Sequence, residues 1–135
     1  MAVFRPTNES NVCTLNFDDK LHYEIPLHEE NLAKIKRVAD EQKAKLSALD
    51  KDSESAINEL YNSLLDAIDE ILGEDAGANI MGIFNNPGVL EAGEVICFIV
   101  KEFTLAYHAR LNKAKADASL PEGTVAPQGG KRGRR

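Results

Sequence analysis

Residues 53–73 read SESAINELYNSLLDAIDEILG, and this stretch decides the fold class. Ile57, Leu60, Tyr61, Leu64, Leu65, Ile68, Ile71 and Leu72 recur at helical spacing and line one wide face. Just upstream, Asp50-Lys51-Asp52-Ser53 supplies residues that end one helix and cap the next. Downstream, Gly73 closes the helix, because glycine takes the left-handed conformation that satisfies the last carbonyls. A helix this apolar on one side needs other elements to cover it, so the remaining chain is read for partners.

Upstream, from about residue 29 to residue 50, Leu32, Ile35, Ala39, Gln42, Leu46 and Leu49 follow at alternating steps of three and four. Lys34, Lys36, Arg37, Asp40, Glu41, Lys43 and Lys45 occupy the rest of the turn. The spacing predicts an amphipathic helix with a narrow apolar seam, suited to a helical partner. Further upstream, Cys13, Leu15 and Phe17 alternate with Val12, Thr14 and Asn16, and Leu21, Tyr23 and Ile25 alternate with Lys20, His22 and Glu24. Period two around Asp18-Asp19 predicts a β-hairpin, ended by Pro26, which has no N–H for the ladder.

Downstream, a short helix is expected over residues 76–84, then a turn enforced by Asn85-Asn86-Pro87-Gly88. A last helix over about residues 90–116 contains Val95, Ile96, Cys97, Phe98, Ile99 and Val100, a run that exceeds one turn and so predicts burial nearly all round. Beyond Ser119, Leu-Pro-Glu-Gly-Thr-Val-Ala-Pro-Gln-Gly-Gly has linker composition, which predicts a disordered end. The expected organisation is a flexible arm over residues 1–11, a hairpin plus helical domain over 12–117, and a disordered basic tail over 118–135. The fold class is mainly α: a small N-terminal β-hairpin followed by about four helices.

The 135 residues are 43% apolar and 28% charged, which fits a single globular domain rather than a disordered or membrane-spanning chain. The net charge of −6 is unevenly placed. Residues 1–117 hold 12 basic and 21 acidic residues, net −9, whereas Lys131, Arg132, Arg134 and Arg135 against Glu122 make residues 118–135 net +3. An acidic body opposes binding of nucleic acid, whose phosphates need clustered cations. The longest apolar run, Val95 to Val100, is far shorter than the ~20 residues that span a bilayer, and no signal-peptide pattern opens the chain, so a soluble intracellular protein is expected. Cys13 and Cys97 fit no metal or redox spacing and are expected as buried, reduced thiols.

Chemistry is hard to find. Asp66, Asp69, Glu70, Glu74 and Asp75 cluster, but beside the apolar stripe where a solvated face belongs, and without a histidine nearby. His22, His28 and His108 are scattered, and no serine or cysteine sits in a nucleophile context. Gly73, Gly77 and Gly82 are flanked by Glu74 and Asp75, which repel phosphate, and Gly129-Gly130-Lys131 lacks the rest of a P-loop. No enzyme activity, cofactor or metal is expected. What remains is surface: more apolar stripe than 117 residues readily hide, the mark of a chain that associates with itself or with another helical chain. On this reading Ile96, Ile99 and Phe103 serve the core or self-association, and Leu32, Ile35, Ala39, Leu46 and Leu49 form the partner surface.

Leu15-Asn16-Phe17-Asp18-Asp19-Lys20, Tyr23-Glu24-Ile25-Pro26, the segment Ile68-Asp69-Glu70-Ile71-Leu72-Gly73-Glu74-Asp75-Ala76 followed by Ile80 to Phe84, and the apolar run after Val89-Leu90 together carry a resemblance. Over roughly residues 12–112 the chain resembles the tail assembly chaperones of long-tailed phages and prophages of Gram-positive bacteria. The resemblance implies a non-enzymatic helper in the host bacterial cytoplasm, absent from the finished virion. Such a helper coats the tape measure protein, keeps it soluble and recruits major tail tube subunits. It also implies a second, longer product made by ribosomal frameshift, and Gly129-Gly130-Lys131 is compatible with the slippery codons GGG-GGA-AAR. A competing reading from another class is a small nucleic-acid-associated regulator that uses the basic tail from Lys131 to Arg135; a third is a divalent-metal enzyme using the carboxylates from Asp66 to Asp75.

Overall fold

The computed structural model describes residues 2, 3 and 11–118. The tail, its basic residues and the Gly129-Gly130-Lys131 tripeptide, like most of the N-terminal arm, lie outside the described residues. The element order is β1 (Val12–Phe17), β2 (Leu21–Pro26), α1 (Glu29–Ser47), α2 (Glu54–Leu72), α3 (Ala76–Met81) and α4 (Val89–Ala118). The chain is mainly helical with an N-terminal antiparallel hairpin, as the periodicities predict.

The hairpin pairs Cys13 with Ile25, Leu15 with Tyr23 and Phe17 with Leu21. These are the inward-facing residues, with Cys13, Leu15 and Ile25 fully buried. Asp18 and Asp19 both take left-handed φ, 56° and 57°, and the Lys20 N–H donates to the Phe17 carbonyl at 3.0 Å. Two left-handed residues in succession make the primed turn whose twist matches the strands, and aspartate tolerates that conformation better than most residues. Asn16 and Asp19 lock the turn reciprocally, with Asn16 Nδ2 donating to Asp19 Oδ1 and the Asp19 N–H donating to Asn16 Oδ1, both at 2.8 Å.

The starts of α1, α2 and α4 are satisfied locally. The Ser53 hydroxyl accepts from the Ala56 N–H at 3.1 Å to cap α2, and the Glu91 carboxylate accepts from the Gly88 N–H at 2.8 Å where α4 leaves the Pro87-Gly88 turn. His28 caps α1, its Nδ1 accepting from the Glu30 N–H at 3.2 Å. Between α2 and α3 the chain reverses through Gly73 (φ 118°) and Asp75 (φ 66°). Asp75 gives α3 no side-chain cap; instead Asp69 of α2 reaches across and accepts the Gly77 N–H at 2.6 Å.

α2 is the hub, packing against α1, α3 and α4, while β1 lies on α4. Leu60, Leu64, Ala67 and Ile68 of α2 meet Ile35 and Val38 of α1, Ile80 and Met81 of α3, and Ala92, Val95, Ile96, Ile99 and Phe103 of α4 in one core with the hairpin's inner face. Burying each Leu, Ile or Phe of this set contributes about 1.5–3 kcal/mol relative to exposure.

Three expectations are corrected. α3 ends at Met81 rather than residue 84, because Gly82, Ile83 and Phe84 continue only as a turn. The run from Val95 to Val100 is not buried all round: Val95, Ile96 and Ile99 face inward, but Cys97 and Phe98 are exposed, since α4 packs on its neighbours by one side only. Cys97 is therefore an exposed thiol rather than a buried one, while Cys13 is buried as expected.

Candidate functional site

The α1 seam divides when placed in the fold. Ile35 is fully buried in the core, and Leu32 and Leu49 pack against it from the edge. Ile35 is thus not a partner surface, which corrects the sequence expectation. The reason is rotational: α1 turns Val38 inward alongside Ile35 and Gln42, so the buried line runs through 35, 38 and 42, and Ala39 falls at its margin. Val38 carried the signal of a β-branched apolar residue three positions from Ile35, but a seam drawn through Ala39 passed it by. Ile96, Ile99 and Phe103 are all buried within this one chain, so they serve the core. Of the α1 seam, Leu46 alone is left largely open, at 56% exposure.

Leu46 stands on the wall of a groove of about 360 Å³ formed where α1, α2 and the first turns of α4 diverge. Leu60 and Leu64 of α2 and Val89, Leu90 and Ile96 of α4 line it with Leu46. Leu90 is the most exposed large apolar side chain among the described residues, at 78%. Gly93 lines the groove too, and a Cβ built there meets nothing within 4 Å, so this helix face is open space. Cys97 places its exposed thiol in the lining. Lys43 is the only charged residue in that lining among the described residues.

One polar residue is sunk in this apolar surface. Gln42 of α1 is only 8% exposed, and its Oε1 accepts from the Ser63 hydroxyl of α2 at 3.2 Å. Ser63 in turn accepts from Lys45 Nζ at 2.7 Å, which directs its own proton toward Gln42. The other end of the Gln42 amide has no hydrogen-bond partner among the described residues.

Two members of the acidic cluster, Asp69 and Glu70, take structural roles. Asp69 caps α3, and Glu70 accepts from Arg37, which also pairs with Glu41 at 3.2 Å. The two carboxylates raise the Arg37 pKa through hydrogen bonds and charge, that of Glu70 first. No group of three or more His, Cys, Asp or Glu side chains converges to hold a metal among the described residues. His22, His28 and His108 remain on separate elements, on β2, before α1 and on α4. No helix of the described residues is long and apolar enough to cross a membrane.

The arrangement offers an open, helix-walled apolar trough on an acidic body, with one buried amide and one cation. Sequence reasoning reached two of its residues, Leu46 and Ile96. It missed Leu90, Gly93 and Cys97, whose grouping with α1 depends on where α4 crosses the other helices. No protein-family model, no curated protein and no solved structure matches this chain.

Proposed function

We propose that the chain is a tail assembly chaperone of a long-tailed phage or prophage, which holds helical segments of the tape measure protein and keeps them soluble until tail tube subunits assemble around them. The observation that carries this reading is the groove bounded by Leu46, Leu60, Leu64 and Leu90, which leaves apolar surface uncovered on a chain whose other large apolar side chains are mostly internal. An amphipathic helix laid in such a groove buries its own apolar stripe and gains the solubility of an acidic carrier. The resemblance of residues 12–112 to this chaperone family supports the same reading.

Co-expression with a fragment of a tape measure protein from a long-tailed phage tests it. Soluble co-purification is expected with the wild-type chain and is expected to be lost with Leu46→Asp plus Leu90→Asp, two exposed changes that leave the core untouched. Occupancy is read directly from Cys97, whose alkylation slows when a helix fills the groove, with buried Cys13 as the internal control. A fragment that stays insoluble and unbound refutes the proposal.

A further inference from the structure

We infer that Gln42 sets the specificity of the groove: its occupant is an amphipathic helix of another polypeptide whose apolar stripe is interrupted by one amide or hydroxyl side chain, placed to bond the free end of the Gln42 amide. This rests on the reading that the groove receives a helix, but not on that helix belonging to a tape measure.

The secondary structure of the occupant follows from the lining. All three walls are helices, so no free strand edge is present to pair with an extended segment. A segment that lies against Leu46, Leu60, Leu64 and Leu90 has to satisfy its own backbone groups, which a helix does.

The polar interruption follows from Gln42. Gln42 lines the groove, and the amide end that Ser63 does not engage has no hydrogen-bond partner among the described residues. A uniformly apolar stripe would seal that end away unpaired, and leaving a buried polar group unsatisfied costs more than a hydrogen bond returns. Rotating the amide does not help, because Ser63 can engage only one end and the other is then orphaned instead. A helix carrying Asn, Gln, Ser or Thr at the facing position removes the penalty and at the same time fixes register, as a single buried polar residue does in a coiled coil.

Charge argues that the helix comes from a different chain. Residues 1–117 are net −9, so a second copy would bring two strongly like-charged bodies together.

Selection from a display library of amphipathic 21-residue helices, randomised at the stripe positions and free of tape measure sequence, tests this on the full-length protein. The wild type is expected to enrich stripes with one Asn, Gln, Ser or Thr among Leu and Ile. Replacing that residue by Leu in a selected peptide is expected to weaken binding about tenfold, the equivalent of one buried orphaned group. Gln42→Leu is expected to enrich uninterrupted apolar stripes and to reverse the preference. Enrichment of uniformly apolar stripes by the wild type, or no enrichment at all, overturns the inference without recourse to the variant. So does a concentration-dependent dimer that protects Cys97 from alkylation, which would make a second copy the occupant. Because no tape measure sequence is in the library, failure of the co-expression test leaves this result standing, and the reverse holds equally.

Discussion

Two glycines in helices meet opposite surroundings, and the same substitution is expected to act with opposite sign at each. At Gly93, in the interior of α4, a Cβ meets nothing within 4 Å, so alanine brings no clash. It removes the backbone entropy cost of a helical glycine, about 0.5–1 kcal/mol. For a folded region of this size that corresponds to a melting temperature higher by roughly 2–6 °C. At Gly77, in α3, the added Cβ lies 2.7 Å from the Leu65 carbonyl oxygen and 3.1 Å from Asp69 Oδ1. Real Cβ atoms do not approach a backbone oxygen that closely, so α3 has to withdraw from α2. Overpacking of this kind costs about 1–3 kcal/mol. Withdrawal also stretches the hydrogen bond from the Gly77 N–H to Asp69, worth about 1 kcal/mol. Gly77→Ala is therefore expected to lower the melting temperature by at least roughly 5 °C, even after the same gain in helix propensity. Thermal and urea unfolding of both variants, followed by far-ultraviolet circular dichroism, reads the two effects in one assay. If Gly77→Ala is neutral or stabilising, the close approach of α3 to α2 is wrong. If Gly93→Ala destabilises, the groove beside α4 is not open.

Gly93→Leu fills the same groove with a branched side chain; it is expected to keep the fold and to abolish helix binding, measured by Cys97 protection. Phe103→Ala is expected to cost about 3–5 kcal/mol, close to the whole stability of a small domain, because the fully buried ring stacks on Tyr107 at 6.2 Å and leaves a cavity. A thiol reagent is expected to label Cys97 rapidly and Cys13 only on unfolding, because burial, and then the Glu102 charge, push the Cys13 thiol above its ordinary pKa; equal rates would refute the burial of Cys13. Tyr107 is held above the ordinary tyrosine pKa by desolvation and then by its contact with Glu29, to which its hydroxyl donates at 3.1 Å. The folded state keeps this proton longer than the unfolded chain, so its contribution is complete below the unfolded tyrosine pKa and is lost as pH rises through the folded one. Tyr107→Phe is expected to flatten that alkaline decline in stability and to remove one component of the phenolate absorbance.

Local rules made much of the fold legible from residues alone. The hairpin follows from period-two alternation through Cys13, Leu15 and Phe17 around two aspartates, and its register follows from which face is apolar. The boundaries of α2 follow from Ser53 and Gly73, because capping and termination act within one turn of chain, although Gly73 ends the helix at φ 118°, ψ 167° rather than in the left-handed helical conformation expected. The burial of Ile96, Ile99 and Phe103 was legible in part, since residues this apolar in a long helix have to be covered by something.

What only the tertiary structure decided is orientation and divergence. The run from Val95 to Val100 has no period, so its pattern of inward Val95, Ile96 and Ile99, exposed Cys97 and a Phe98 ring partly covered by Phe17 of β1 exists only because α1, α2 and β1 pack on part of α4. The α1 seam has a period, yet its rotation toward Val38 and the exposure of Leu46 depend on where α2 and α4 cross it. The groove is likewise a gap between helices far apart in sequence, joining Gln42 to Leu60 and Leu90. Periodicity records which residues a helix has to hide. Only the packed neighbours determine which of them stay uncovered, because a helix face is buried by the surface that meets it and not by its own sequence.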